Sequence, residues 1–150
     1  MNEADPRAPR APWLMPYLTV RDAQASLDFY ATAFGFVAGQ VATGDDGAPE
    51  HCELYYRDQL IAMFASEGAF GSTARSPRTL GIEPTQTFYV YCSDPDRIFA
   101  QALAAGAHGV VPPSNQFWGD RMCCVRDPDG YQWSFARWLG PAASAAGNAA

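Results

Sequence analysis

VRDPDGYQWSFARW, residues 125–138, sets two apolar stretches on either side of a four-residue reversal. Pro128, second in the turn Asp127–Gly130, presets φ, and Gly130, fourth, supplies the left-handed conformation of a bulged hairpin. Arg121–Val125 and Tyr131–Trp138 therefore read as paired strands. Side chains alternate along a strand, so Gln132, Ser134 and Ala136 share one face and Trp133 and Phe135 the other. Two bulky aromatics mark the second face as core. Ser134 then lies on the face away from these two aromatics.

Upstream of this hairpin, TFYVYCSDPDRIFAQALAAGAHGV (87–110) reads as a strand, Thr87–Cys92, followed by a helix. Ser93 or Asp94 caps that helix and Pro95 starts it, where a missing N–H costs nothing. Ile98, Phe99, Ala102 and Leu103 supply its apolar face, Gly106 ends it, and Val110–Val111 is the next strand. The same grammar occurs earlier. Leu14–Val20 reads as a strand, Asp22 as an N-cap, Leu27, Tyr30 and Phe34 as one helical face, and Gly35 as the stop. Asp22 to Gly35 is the same distance as Ser93 to Gly106. Strands at Val37–Ala42, His51–Tyr56 and Gln59–Ala65 complete the first unit.

The chain is thus expected to be α+β, two tandem βαβββ modules forming a curved sheet around a cavity. The expected division is a disordered tail at 1–12, a first module at 13–65, a linker at 66–84, a second module at 85–139 and a disordered tail at 140–150. One helix covers one face of a four-strand sheet. Two uncovered faces brought together, within a chain or across a dimer, would enclose the default binding site. A homodimer is expected, because a partner would cover the short edge of each sheet.

Composition narrows the chemistry. The 150 residues contain no lysine, and all ten basic residues are arginines. That excludes Schiff-base catalysis, a lysine general base and a P-loop lysine, since arginine does not deprotonate in proteins. A net charge of −6 argues against nucleic acid and anionic membrane as partners and favours a cationic small molecule. The longest apolar run, Leu60–Ala65, is far short of a membrane span, and the amino terminus has no apolar signal core. Cys52, Cys92, Cys123 and Cys124 form no C-x-x-C pair and are expected to be buried reduced thiols, consistent with a cytoplasmic protein.

The helix ending FYATAFGF (29–36) and the finish FWGDRMCCVRDPDGYQWSF (117–135), set in tandem βαβββ units, resemble the vicinal oxygen chelate superfamily. Glyoxalase I, extradiol dioxygenases, and fosfomycin- and bleomycin-resistance proteins belong to it. The WG pair before the penultimate strand is similar to the bleomycin-resistance branch. Metal enzymes of the superfamily carry a ligand on the first and last strand of each module. The resemblance places those ligands at Met15, at Ala62 or Met63, at Thr87, and at Ser134, the position four residues after DPDG. Thioether, hydroxyl and alkyl groups there replace imidazole and carboxylate, which a hard divalent cation prefers.

Two histidines exist. His108 is expected in an exposed loop, whereas His51 and Glu53 share a strand face and are the one pair through which a divalent metal would bind. If Met15 and Thr87 face the cavity, as the resemblance implies, alternation puts Tyr17, Tyr89 and Tyr91 beside them, with Phe117 and Trp118 in a loop that closes over a ligand. The expected binding set is Tyr17, His51, Glu53, Tyr89, Tyr91, Phe117, Trp118, Arg121 and Ser134, with Arg121 or Glu53 orienting a polar group. No catalytic residue, cofactor or metal is expected. The leading expectation is a metal-free binder that sequesters an aromatic or cationic drug or metabolite. The alternative is a metal-dependent lyase, isomerase or dioxygenase with rearranged ligands.

Overall fold

The computed structural model describes residues 4–141, in two compact units. Parts of both expected tails, residues 1–3 and 142–150, lie outside the described residues. The first unit holds residues up to Ala31 and Gly35–Arg75; the second holds Thr32–Phe34 and residues from Ser76 onward. Each contains a four-stranded sheet, and the order of elements is the βαβββ pattern twice.

In the first unit the elements are β1 (Tyr17–Val20), α1 (Ala23–Phe34), β2 (Val37–Thr43), β3 (Pro49–Tyr56) and β4 (Gln59–Ser66), with sheet order β1-β4-β3-β2. β1 starts at Tyr17 rather than Leu14 because Pro16 has no N–H to give the ladder; its carbonyl still accepts from the Met63 amide at 3.0 Å. The Asp22 side chain accepts from the Ala25 amide at 2.8 Å and caps α1, and Gly35, at φ 71°, closes it. Leu18, Val20, Leu54, Ala62 and Phe64 are buried along one face of the sheet, with Tyr30 of α1 lying 5.9 Å from the Phe64 ring and 6.2 Å from Phe36. Tyr17, Met63 and Glu53 are register partners across β1, β4 and β3 and so share the opposite face, as do Thr19, Ala65 and His51.

The second unit runs β5 (Thr87–Tyr91), α3 (Pro95–Ala104), β6 (His108–Asn115), β7 (Asp120–Arg126) and β8 (Gln132–Trp138), with sheet order β5-β8-β7-β6. The stretch expected as linker is not featureless. It contains a 3₁₀ turn at Ala69–Gly71 and the short helix α2 (Pro77–Leu80), capped by the buried Ser76. β6 is also longer than Val110–Val111. It lies at the sheet edge and absorbs Pro112 and Pro113 in a register shift between Val111 and Ser114, so their missing N–H groups cost no ladder bond. His108 opens this strand, exposed, rather than sitting in a loop. Leu103 of α3, expected on the apolar face, is 42% exposed.

The DPDG hairpin is tied down by its first residue. Asp127 Oδ1 accepts from the amides of Asp129 and Tyr131, both at 3.0 Å, and Oδ2 accepts from the Trp133 indole N–H at 2.9 Å. Gly130 takes φ 93°, and a Cβ there would lie 3.0 Å from the Arg78 backbone nitrogen of α2. Trp133 carries this turn into the core: its ring lies 4.6 Å from Phe88 and 5.6 Å from Phe34, and Phe34 is 4.7 Å from Phe135. Ser134, between Trp133 and Phe135, faces the other way and is flanked by Tyr89 on β5 and Cys124 on β7. All four cysteines are buried thiols outside any disulfide. Cys123 and Cys124 point to opposite faces, the former toward the Pro95 carbonyl and the latter toward Gln132.

Candidate functional site

The open face of the second unit concentrates aromatic side chains on one carboxylate. Tyr89 and Tyr91, two apart on β5, share a face, with ring centroids 5.7 Å apart in an edge arrangement. Asp120 opens β7, and its alternation with Met122 and Cys124 puts it on that same face. Tyr89 O–H donates to Asp120 Oδ2 at 2.7 Å, Tyr91 O–H at 3.2 Å and the Trp118 indole N–H at 3.1 Å. Trp118 also donates to the Tyr89 oxygen at 3.2 Å, and Phe117 meets the Trp118 ring edge-on at 5.0 Å. Asp120 is only 1% exposed, whereas the rings around it are largely open to solvent.

Glycine makes this corner. Gly119 has φ 103°, and a Cβ there would fall 2.3 Å from the Trp138 ring. The backbone bonds Gly119 N–H to Gln116 O and Gln116 N–H to Asp120 O, at 3.1 and 2.7 Å, hold the turn that brings Trp118 back over the carboxylate. Burial pushes the Tyr89 phenol up to about 12, with the Asp120 acceptor adding to the effect, while the Trp118 hydrogen bond works against it. Tyr91 is raised for the same reasons, burial first and Asp120 second. Both phenols thus stay protonated as donors at neutral pH.

Of the residues expected in the site, Tyr89, Tyr91 and Trp118 are brought together directly, with Phe117 stacked beside them. Ser134 is the register partner of Tyr89, although at 3% exposure it is covered. Arg121 is placed elsewhere. Its odd position in β7 sends it to the helix side, where its guanidinium makes a two-pronged pair with Asp96 at 2.6 and 2.7 Å. It does not share the face of the tyrosines. Asp120 was not among the expected residues, although the signal was present: it stands an even number of residues before Cys124, the partner of Ser134.

The first unit holds the remaining expected residues. Tyr17 and His51 share a hydrogen bond at 2.7 Å between the phenol oxygen and Nδ1. Glu53 Oε2 accepts from the Gln40 amide at 3.2 Å and the Tyr55 phenol at 3.4 Å, and lines a groove of ≈ 430 Å³ with Gly39, Gln40 and Tyr55. The positions at which the superfamily holds metal do not fit one here. Register puts Met63, not the buried Ala62, on the face of Tyr17 and Glu53, while Met15 precedes β1. Thioethers with the hydroxyls of Thr87 and Ser134 are poor donors for a hard divalent cation. Among the described residues no group of three or more His, Cys, Asp or Glu side chains gathers to hold a metal ion. No helix among them is long and apolar enough to cross a membrane.

Paired βαβββ units with DPDG closing the last hairpin define a class, and residues 10–135 match the model of the Glyoxalase/Bleomycin resistance protein/Dioxygenase superfamily. The chain belongs to that superfamily. It is 35% identical over 127 residues to the uncharacterized protein Mb0911c of Mycobacterium bovis, covering 84% of this chain and 83% of that one. Among solved structures it is similar to TioX from Micromonospora sp. ML1, with 26% identity, a TM-score of 0.63, and coverage of 84% of this chain and 99% of that one. A glyoxalase-related enzyme from Fulvimarina pelagi shares the fold, at 17% identity and a TM-score of 0.61 over 84% of this chain and 88% of its own.

Proposed function

We propose that this protein binds a small organic molecule, flat and aromatic or cationic, in the manner of the bleomycin-resistance branch and without metal-dependent chemistry. One observation carries it: Tyr89, Tyr91 and Trp118 converge on the buried Asp120 while Met15, Met63, Thr87 and Ser134 stand where metal ligands would be. Aromatic faces beside a carboxylate suit stacking and cation–π contact, each worth about 0.5–2 kcal/mol. A homodimeric, cytoplasmic protein that sequesters its ligand fits this proposal. Titration of tryptophan fluorescence with a bleomycin-type drug tests it: saturable quenching that disappears in Trp118→Phe supports binding, and no response at any concentration refutes it.

The second reading, a metal-dependent lyase, isomerase or dioxygenase, draws on the Tyr17–His51 pair beside Glu53. Elemental analysis of protein purified without chelator separates the two. Stoichiometric metal that is lost in His51→Ala favours the enzyme and overturns the binder.

A further inference from the structure

We propose that Asp120 recognises a protonated primary or secondary amine, whose N–H donates to Oδ1 while the ligand's flat frame lies on Tyr89, Tyr91 and Trp118. This assignment rests on the small-molecule reading above and names the ligand class of that site.

The two carboxylate oxygens of Asp120 are treated very differently. Oδ2 takes three donors, from Tyr89, Tyr91 and Trp118. Oδ1 is buried and has no hydrogen-bond partner among the described residues. Native folds rarely leave a buried carboxylate oxygen unmet, because it gives up its water and gains nothing in return. Nor does the sheet supply a countercharge. Arg121 is held by Asp96, Arg126 pairs with Glu83 at 2.5 Å, Arg137 donates to the Ser93 carbonyl at 3.3 Å, and the chain has no lysine. A cation from outside completes the arrangement, and the net charge of −6 draws it in.

The geometry selects among cations. Aromatic faces alone would suit a quaternary ammonium, but a quaternary centre has no N–H to satisfy Oδ1. A guanidinium binds best with its planar fork across both oxygens, and Oδ2 is already occupied by three donors. A hard metal ion needs several oxygen ligands, and here one carboxylate is surrounded by O–H and N–H groups that point toward it. An alkylammonium needs one acceptor and an apolar collar. Oδ1 is closed off as the structure stands, so the amine reaches it only when the Trp118 indole, 41% exposed and bonded to Asp120 Oδ2, swings aside.

The test is calorimetric titration of the full chain with three probes sharing one ring system: 2-naphthylmethylamine, its N,N,N-trimethylammonium derivative, and 2-naphthylmethanol. The amine is expected to bind about tenfold more tightly than either of the others, the scale of one charge-assisted hydrogen bond. Asp120→Asn should erase that preference, and circular dichroism checks that the variant folds. Tyr89→Phe, which removes a donor from Oδ2 and leaves Oδ1 untouched, should keep the preference even if overall affinity falls. Equal binding of all three probes, or a preference that survives Asp120→Asn, overturns the assignment. If the three bind equally and Trp118→Phe weakens them all, aromatic binding stands and the amine is refuted. If none binds, the amine is refuted as well, and the drug titration judges the binding reading separately.

Discussion

Replacing Asp127 with alanine should loosen the second module at its tightest point. The carboxylate accepts from the Asp129 and Tyr131 amides and from the Trp133 indole, and it is 4% exposed. A hydrogen bond to a charged acceptor is worth about 1.5–3 kcal/mol, so three sum to an upper bound. All three donors are buried, and the indole N–H is packed between Phe34 and Phe88. The expected loss is about 3–5 kcal/mol. For a chain of this length that lowers the melting temperature by about 10 °C. Asp127→Asn should be intermediate: its amide oxygen still serves the two backbone donors, but its NH₂ faces the Trp133 N–H, at a cost of about 1–2 kcal/mol. Differential scanning calorimetry gives both shifts, and near-ultraviolet circular dichroism reports the Trp133 environment. A drop below about 2 °C for the alanine variant would show that the turn holds by its Pro-Gly backbone alone.

Gly119→Ala should disturb the aromatic corner, since the new Cβ would meet the Trp138 ring at 2.3 Å at a positive φ; left-handed strain and the clash together cost about 2–3 kcal/mol, readable as a thermal shift with altered Trp118 fluorescence. Alkaline titration followed at 295 nm should show a phenol titrating near 12, the value to which burial and Asp120 raise Tyr89. The sign follows from linkage: the fold holds this proton more tightly than the unfolded chain, so the contribution is complete below pH 10.0, the ordinary tyrosine value, and is lost as pH rises through about 12. Only ordinary tyrosine titration in the folded protein would contradict it. Burial raises Cys52 to about 11 and Cys123 to about 12, so a thiol reagent at pH 8 should label neither until denaturant is added. Rapid labelling of either in the native protein would refute that burial.

The fold was legible because its punctuation is local. Asp22 and Gly35 bracket one helix, Pro95 opens the other, and Asp127–Gly130 sets the register that turns Ser134 away from the core. Where reading fell short, the cause was tertiary. The strand read as Val110–Val111 runs through Pro112 and Pro113, which an edge position with a register shift accommodates. Arg121 looked available until α3 brought Asp96 to it. The candidate site was half visible, since period-two alternation assigned Tyr89 and Tyr91 to one face. Even spacing to Cys124 gives the face of Asp120, but its role depends on β5 and β7 flanking β8 and on Gly119 folding Trp118 back, which no spacing within the chain shows.

Binding at the Asp120 corner can be watched directly through the indole N–H signals of the four tryptophans in a nitrogen-15 labelled sample. Trp118 donates to Asp120 and Tyr89, whereas Trp133 donates to Asp127 inside the core and serves as the internal control. On titration with a bleomycin-type drug, the Trp118 signal should shift saturably while that of Trp133 stays in place. A saturated ligand complex in which Trp118 does not move, or in which Trp133 moves instead, would place the site elsewhere and contradict the assignment.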